Sequence, residues 1–354
     1  MHRFADGLPP TATAGVDTVP MTPQPAPETS GTIGVIVIGR NEGERLRRCL
    51  ESLRALADRA VYVDSGSNDG SVTLARDLTT AVVELDLQRP FTAARARNEG
   101  FERLIQQRPA LDYVFFVDGD CEVVGGWVET GARFLDEHPD VAVVWGYRRE
   151  RHPEKSIYNM LCDIEWSDYP IGESKICGGD ALLRVEAFRQ VGGYRAELIC
   201  GEEPEMCVRL RQQGWRIWHL NANMTLHDAA IYRFGQWWKR MLRGGYGFAQ
   251  GAALHGAAPE RHGVVESWRA WTWGFLIPTA ALVLTLATGW RGLLLLLIYP
   301  LQVIRLTLLG KRTVRENWWR AAALVTSKFA EMAGQVKFLV DRIRGVKSRL
   351  IEYK

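Results

Sequence analysis

From Thr32 onward, apolar runs of strand length alternate with stretches whose apolar positions recur at helical spacing. Thr32–Ile38 is a β-branched run, Glu44–Leu56 an amphipathic helix, Ala60–Asp64 a second strand and Val72–Leu78 a short helix. Ala81–Leu85, Thr92–Gln107 and Tyr113–Val117 repeat the order strand, helix, strand. Uninterrupted apolar strands are typical of sheets covered on both faces, and their alternation with helices predicts an α/β fold with a mostly parallel, Rossmann-like sheet. Ligands of such sheets collect at the carboxyl ends of the strands. Further on, Gly201–Glu205 opens a helix that Gly214 ends, Trp215–Leu220 reads as a short strand, and another helix begins near Tyr232.

Both flanks depart from this pattern. Residues 1–30 are rich in Pro, Thr and Ala without apolar periodicity, which predicts a disordered tail; they also lack the apolar core of a secretory signal, so the domain that follows is expected in the cytoplasm. The alternating region is expected to form one domain over 31–255. Beyond it, Trp271–Thr288 and Leu293–Leu309 are apolar stretches close to the minimum length for crossing a bilayer, joined by Gly289-Trp290-Arg291-Gly292. A helical hairpin over 270–310 is predicted, either transmembrane or, given Pro278, Pro300, Gln302 and Arg305, re-entrant. Lys311, Arg312 and Arg315 follow the second stretch, whereas the turn carries only Arg291, so both flanks are expected on the cytoplasmic side of the cell membrane. Residues 316–354 begin with Trp318-Trp319-Arg320 and end among Arg342, Arg344, Lys347 and Arg349, the pattern of an interfacial amphipathic helix with a basic tail.

Charge changes the picture little. The 44 basic and 41 acidic residues nearly balance, which argues against nucleic acid as a partner. The six cysteines include no C-x-x-C pair and no zinc-type spacing, so free thiols are expected.

Candidate chemistry lies at the strand ends. The run Tyr113–Val117 stops at Asp118-Gly119-Asp120, two carboxylates with a glycine between them that allows a tight turn. Hard divalent cations take a couple of carboxylates and leave other positions to water and phosphate oxygens. The loops Gly39–Gly43 and Asp64–Ser71 follow the first two strands and converge on the same edge. No G-x-G-x-x-G and no G-x-x-x-x-G-K-[ST] follows the first strand, which disfavours dinucleotide binding and P-loop chemistry.

Ile36–Glu42, Val63–Ser71, Ala94–Gly100 and Asp118–Asp120 together resemble the family 2 glycosyltransferases, in order and spacing, over roughly Thr32 to Gly251. The resemblance implies the GT-A fold and inverting transfer of a sugar from a nucleotide-diphosphate sugar donor to a hydroxyl, aided by Mg²⁺ or Mn²⁺. It implies that Asn41 and Glu42 line the donor site, that Asp64 bonds the base, that Arg95 and Asn98 lie near ribose and phosphates, and that Asp180 contacts sugar hydroxyls. Asp118 would touch ribose or metal, Asp120 would be the metal ligand proper, and His227 would complete the metal shell. Arg240 and Arg243 would neutralise the leaving diphosphate. The family usually reads Gly-Glu-Asp where this chain has Gly201-Glu202-Glu203, so the general base moves outward by one methylene to Glu203, with Glu202 in reserve. Arg240 is followed by Met241 rather than Trp, which does not support processive polymerisation. The expected acceptor is lipid-linked or a glycan. A same-chemistry variant uses a soluble acceptor, and a different reading is a catalytically silent nucleotide-sugar-binding membrane protein marked by the Glu203 departure. Nucleotidyltransfer ranks last, because Gly39–Gly43 has one arginine only.

Overall fold

The computed structural model describes residues 31–79, 81–346 and 351–352. The expected tail at 1–30, and Lys347 and Arg349 of the basic end, lie outside the described residues.

The first half is β1 (Ile33–Gly39), α1 (Glu44–Ser52), β2 (Ala60–Asp64), α2 (Ser71–Leu78), β3 (Ala81–Glu84), α3 (Ala93–Gln107) and β4 (Tyr113–Asp118). It reproduces the alternation read from the apolar runs, except that the helix expected to reach Leu56 ends at Ser52 and gives way to a tighter 3₁₀ turn over Arg54–Arg59. β1, β2 and β4 are buried almost throughout, so burial of their β-branched and aromatic side chains fixes this part of the sheet. Thr92 caps α3 by accepting from the Arg95 backbone N–H. Parallel register sets Gly39 beside Asp64 and Ile38 beside Asp118, so three strand ends meet at one edge.

The second half adds β5 (Cys121–Val123), α4 (Trp127–Glu137), β6 (Val141–Glu150), α5 (Ile157–Ser167), β7 (Gly172–Ser174), β8 (Ala181–Arg184), α6 (Val185–Gln190), α7 (Glu202–Gln212), β9 (Arg216–His227) and α8 (Phe234–His255). The nine-stranded sheet runs β3-β2-β1-β4-β8-β6-β9-β5, with β7 on β9. β1–β2, β1–β4, β2–β3 and β6–β9 are parallel, whereas β4–β8, β6–β8, β5–β9 and β7–β9 are antiparallel. The sheet is therefore mixed rather than mostly parallel. Helices also separate later strands, α4 between β5 and β6 and α5 between β6 and β7, but the strands they separate do not pair with each other. β9 is also longer than expected and ends at His227, so that histidine belongs to the sheet rather than to a loop after it.

α9 (Val264–Trp271), α10 (Ile277–Thr288), α11 (Ile298–Leu309) and α12 (Val314–Ile343) complete the chain. Val264–Leu309 is long and apolar enough to cross a membrane by length and composition. It folds back on itself at Gly289, whose φ of 71° is open to glycine at little cost. On the return arm Gly292 lies against the backbone of Leu284 and Thr285, and the Tyr299 hydroxyl donates to the Trp273 carbonyl. Leu286 and Leu308 on the two arms are 80% and 79% exposed, far more than an apolar side chain in water favours. α12 packs on α8 with backbone against backbone at two glycines: a Cβ on Gly245 would meet the Glu331 carbonyl oxygen at 2.0 Å, and one on Gly334 would meet that of Leu242 at 2.0 Å.

Candidate active site

Arg97 organises the site. It is carried by α3, is 2% exposed, and reaches carboxylates from two elements. Its Nη2 donates to Asp118 Oδ1 (2.9 Å) at the end of β4, and its Nη1 lies 2.8 Å from Glu202 Oε1 and 2.9 Å from Glu203 Oε1 at the start of α7. Arg148, from the end of β6, reaches Asp118 Oδ2 (3.3 Å) and Asp180 Oδ1 (2.8 Å). Burial opposes ionisation of Asp118, but the Arg97 and Arg148 guanidiniums override it and hold its carboxyl below the usual range. Gly179 lets these groups converge: a Cβ there would lie 3.0 Å from Arg148 Nη2, 3.1 Å from Asp118 Oδ2 and 3.2 Å from Arg97 Nη2.

The two glutamates differ. Glu202 is buried and holds Arg97, whereas the Glu203 side chain is 13% exposed. Both line a cleft of about 930 Å³, which extends past Asp118, Arg148, Trp166 and Gly179 to α8 and α12. Burial, and after it the Glu202 carboxylate, push Glu203 up to about 7 against the pull of Arg97. A carboxyl so placed can hold or release a proton near neutrality. The third acid of the turn, Glu205, has a structural role, held by Arg195, Arg209 and His255.

Several residues singled out in the sequence sit elsewhere than expected. Arg95 does not face the cleft; its guanidinium pairs with Glu99 (2.6 Å) and donates to the carbonyls of Asp86 and Arg89. The Asn98 amide is occupied by the Tyr194 backbone, donating to its carbonyl (2.7 Å) and accepting from its N–H (2.9 Å). Asp180 is fully buried and held by Arg148, by the Thr225 hydroxyl (2.7 Å) and by the Asp118 N–H (3.0 Å), so it braces the floor of the site rather than presenting oxygens to a sugar. The Asp64 carboxylate accepts from Tyr62, Gly66 and Ser67 and shapes the loop after β2. Asn41, at φ 56°, ties that loop to its own by accepting from the Asn68 N–H (2.8 Å), and Glu42 pairs with Arg45 (2.8 Å). Arg240 and Arg243 do line the cleft, Arg240 as a two-pronged partner of Glu165 at 2.8 Å.

A separate donor cluster lies beside Asp118. Asp120 Oδ2 is 3.2 Å from His227 Nε2, and Asp120, Cys121 and His227, all buried, offer oxygen, sulfur and nitrogen atoms within 4.8 Å of one another. Cys121 stands opposite His227 in the β5–β9 ladder. Glu150 Oε2 lies 3.9 Å behind His227 Nδ1, and Trp166 meets the ring edge to face. Carboxylate and imidazole at this separation suit a divalent cation. Asp118, expected as a second ligand, is engaged by the two arginines and stands outside this cluster.

The family model "Glycosyl transferase family 2" matches residues 34–192, which contain α3, Asp118-Gly119-Asp120 and Asp180. The chain carries a family 2 glycosyltransferase domain. Among relatives of this glycosyltransferase, the "Glycosyltransferase AglE" of Haloferax volcanii is 24% identical over 62% of this chain and 73% of its own length. The "Succinoglycan biosynthesis protein ExoA" of Rhizobium meliloti is 28% identical over 58% of this chain and 64% of its own. A solved structure of a Pyrobaculum calidifontis mannosyltransferase, with GDP-Man and Mn²⁺, superposes with a TM-score of 0.62 at 22% identity, covering 92% of each chain, and shows the shared fold.

Two residues of the glycosyltransferase site were not anticipated. The sequence reading assigns Arg97 no role, although its position two residues from Arg95 puts the two side chains on different faces of α3. Arg148 belongs to no short motif. The only available signal was the change from the apolar run Val141–Trp145 to Tyr147-Arg148-Arg149-Glu150, the pattern of a strand leaving the core at a ligand edge.

Proposed function

We propose that this glycosyltransferase moves one sugar, with inversion, from a nucleoside-diphosphate sugar to a hydroxyl of a lipid-linked or glycan acceptor at the cytoplasmic face of the cell membrane. The observation that carries the reading is the Arg97 bridge between the acid at the end of β4 and the Glu202–Glu203 pair across the cleft. In this scheme Glu203 accepts the proton of the acceptor hydroxyl. The hydroxyl oxygen forms a bond to the anomeric carbon as the bond from that carbon to the diphosphate oxygen breaks on the opposite face. Arg148, Arg240 and Arg243 supply positive charge along the cleft where the diphosphate departs. Asp120 and His227 would hold a Mg²⁺ or Mn²⁺ ion, whose part is to offset charge on the leaving group.

Membrane attachment is supported by the exposed apolar arms of the hairpin. The basic corner between α11 and α12 joins the catalytic domain, where Arg312 and Arg320 pair with Asp168 at 2.8 and 3.0 Å. Basic flank and cleft thus share one side, which favours the cytoplasmic face. The silent-protein reading rested on Glu203 being out of place, and no observation favours it over transfer, since Glu203 lines the cleft.

The test is release of nucleoside diphosphate from UDP-, GDP- and dTDP-sugars by detergent-purified protein, with and without Mg²⁺ or Mn²⁺. Cation-dependent release from one donor, lost in Asp120→Asn, supports the proposal and names the donor. Donor binding without release, even with membrane-extract acceptors present, refutes it.

A further inference from the structure

We propose that Cys121 is a third protein ligand, after Asp120 and His227, of the cation at this site, and that the site takes a borderline divalent ion (Mn²⁺, Co²⁺ or Zn²⁺) in preference to Mg²⁺. The inference rests on the cation-dependent reading above and adds a donor to it. Three observations carry it.

First, Cys121 and His227 are directly opposed on neighbouring antiparallel strands, and opposed residues present their side chains on the same face of the sheet. Second, the Cys121 sulfur lies 3.8 Å from Asp120 Oδ1, and the imidazole Nε2 lies 3.2 Å from Asp120 Oδ2. Donors around one tetrahedral ion at about 2.0–2.3 Å stand roughly 3.3–3.8 Å apart, so small side-chain rotations would bring all three onto a single centre. Third, the imidazole is backed by Glu150, whose Oε2 accepts from the Ala229 N–H at 3.0 Å and whose Oε1 accepts from the Asn159 amide at 3.1 Å. A carboxylate held in this way behind a histidine is the usual means of fixing a metal-binding imidazole.

The donor chemistry then decides the ion. Mg²⁺ demands oxygen ligands in near-octahedral array, and this cluster offers it one carboxylate. Nitrogen and sulfur raise affinity in the order Mn²⁺, Co²⁺ and, for thiolate above all, Zn²⁺. On binding, the sulfur gives an electron pair to the ion and the thiol proton passes to solvent, with no change in oxidation state. Water and donor oxygens fill the remaining positions.

The experiment loads the detergent-purified full chain with Zn²⁺ and Co²⁺ in the absence of any sugar donor. X-ray absorption of the Zn²⁺ form is expected to show one sulfur scatterer at about 2.3 Å, and Co²⁺ a thiolate-to-metal charge-transfer band. Both signals should disappear in Cys121→Ser, and the Mn²⁺-over-Mg²⁺ preference measured by calorimetry should fall on the order of tenfold. Ion binding that needs Asp120 but shows only oxygen and nitrogen scatterers would overturn the role of Cys121 and leave the cation-dependent transferase standing. Absence of any Asp120-dependent ion binding would overturn both. The wild-type absorption measurement decides the question even if Cys121→Ser folds poorly.

Discussion

Arg97→Met tests the organisation of the site most directly. The substitution keeps most of the side-chain volume but removes the one cation placed between Asp118, Glu202 and Glu203. Breaking a buried ion pair by deleting one partner costs about 3–5 kcal/mol, because the remaining charges stay uncompensated. At roughly 2–4 °C per kcal/mol for a unit of this size, melting should fall by roughly 10 °C near pH 8. The sign with pH follows from Glu203. Its carboxyl already sits at about 7 in the folded protein, above its ordinary value, so its protonation contributes stability in acid that is lost as pH rises toward 7. Without the Arg97 pull the folded-state value climbs further, and the loss extends to higher pH. The melting deficit of Arg97→Met should therefore be small at pH 5 and full at pH 8, and adding Glu202→Gln should recover part of it. Circular dichroism melts of detergent-purified protein across that range provide the assay. A variant melting within a degree of wild type at pH 8, or a deficit independent of pH, would refute the claim that Arg97 compensates these acids.

Three further outcomes are expected. With Glu203 as base, kcat/KM should rise with pH through about 7, and Glu203→Gln should cut transfer by roughly 10²–10⁴ while donor binding, read by calorimetry, persists; unchanged turnover would move the role to Glu202. Gly179→Ala places a methyl group 3.0–3.2 Å from three converged polar atoms, which should cost about 1–3 kcal/mol and weaken donor affinity measured by calorimetry. Glu substitutions at Leu286 and Leu308, 80% and 79% exposed on the hairpin arms, should abolish co-flotation with liposomes; flotation at wild-type levels would remove the hairpin as the anchor.

The apolar runs made the first half of the fold legible, because strands buried on both faces are written as continuous β-branched and aromatic stretches, as in Ile33–Ile38 and Tyr113–Val117. The antiparallel part was not, since β5, β7 and β8 are three or four residues long and carry no periodicity to read. The acids at the strand ends were visible as types at positions, but which of them is already partnered within the protein was not. Asp64 and Asp180 read as donor contacts, yet each is saturated by the protein's own hydrogen bonds, for Asp64 from Tyr62 on its own strand and from the loop that follows, and for Asp180 from Thr225 and Arg148 on other strands. The same holds for Arg97, whose three acidic partners lie 21 to 106 residues away in the chain and meet it only after the sheet closes.

The glycine-to-backbone crossing of α8 and α12 has a mechanical consequence. At Gly245 and Gly334 the two helices approach backbone to backbone, and Tyr246 packs edge-on against Phe338 beside them, so α12 and the helix bearing Arg240 and Arg243 move as one body. The hairpin is attached to that same body through α11 and α12. If the hairpin rests in a bilayer, the cleft rides at a fixed height above it, and the fold becomes a ruler: an acceptor is accepted or refused by how far its reactive hydroxyl projects from the surface.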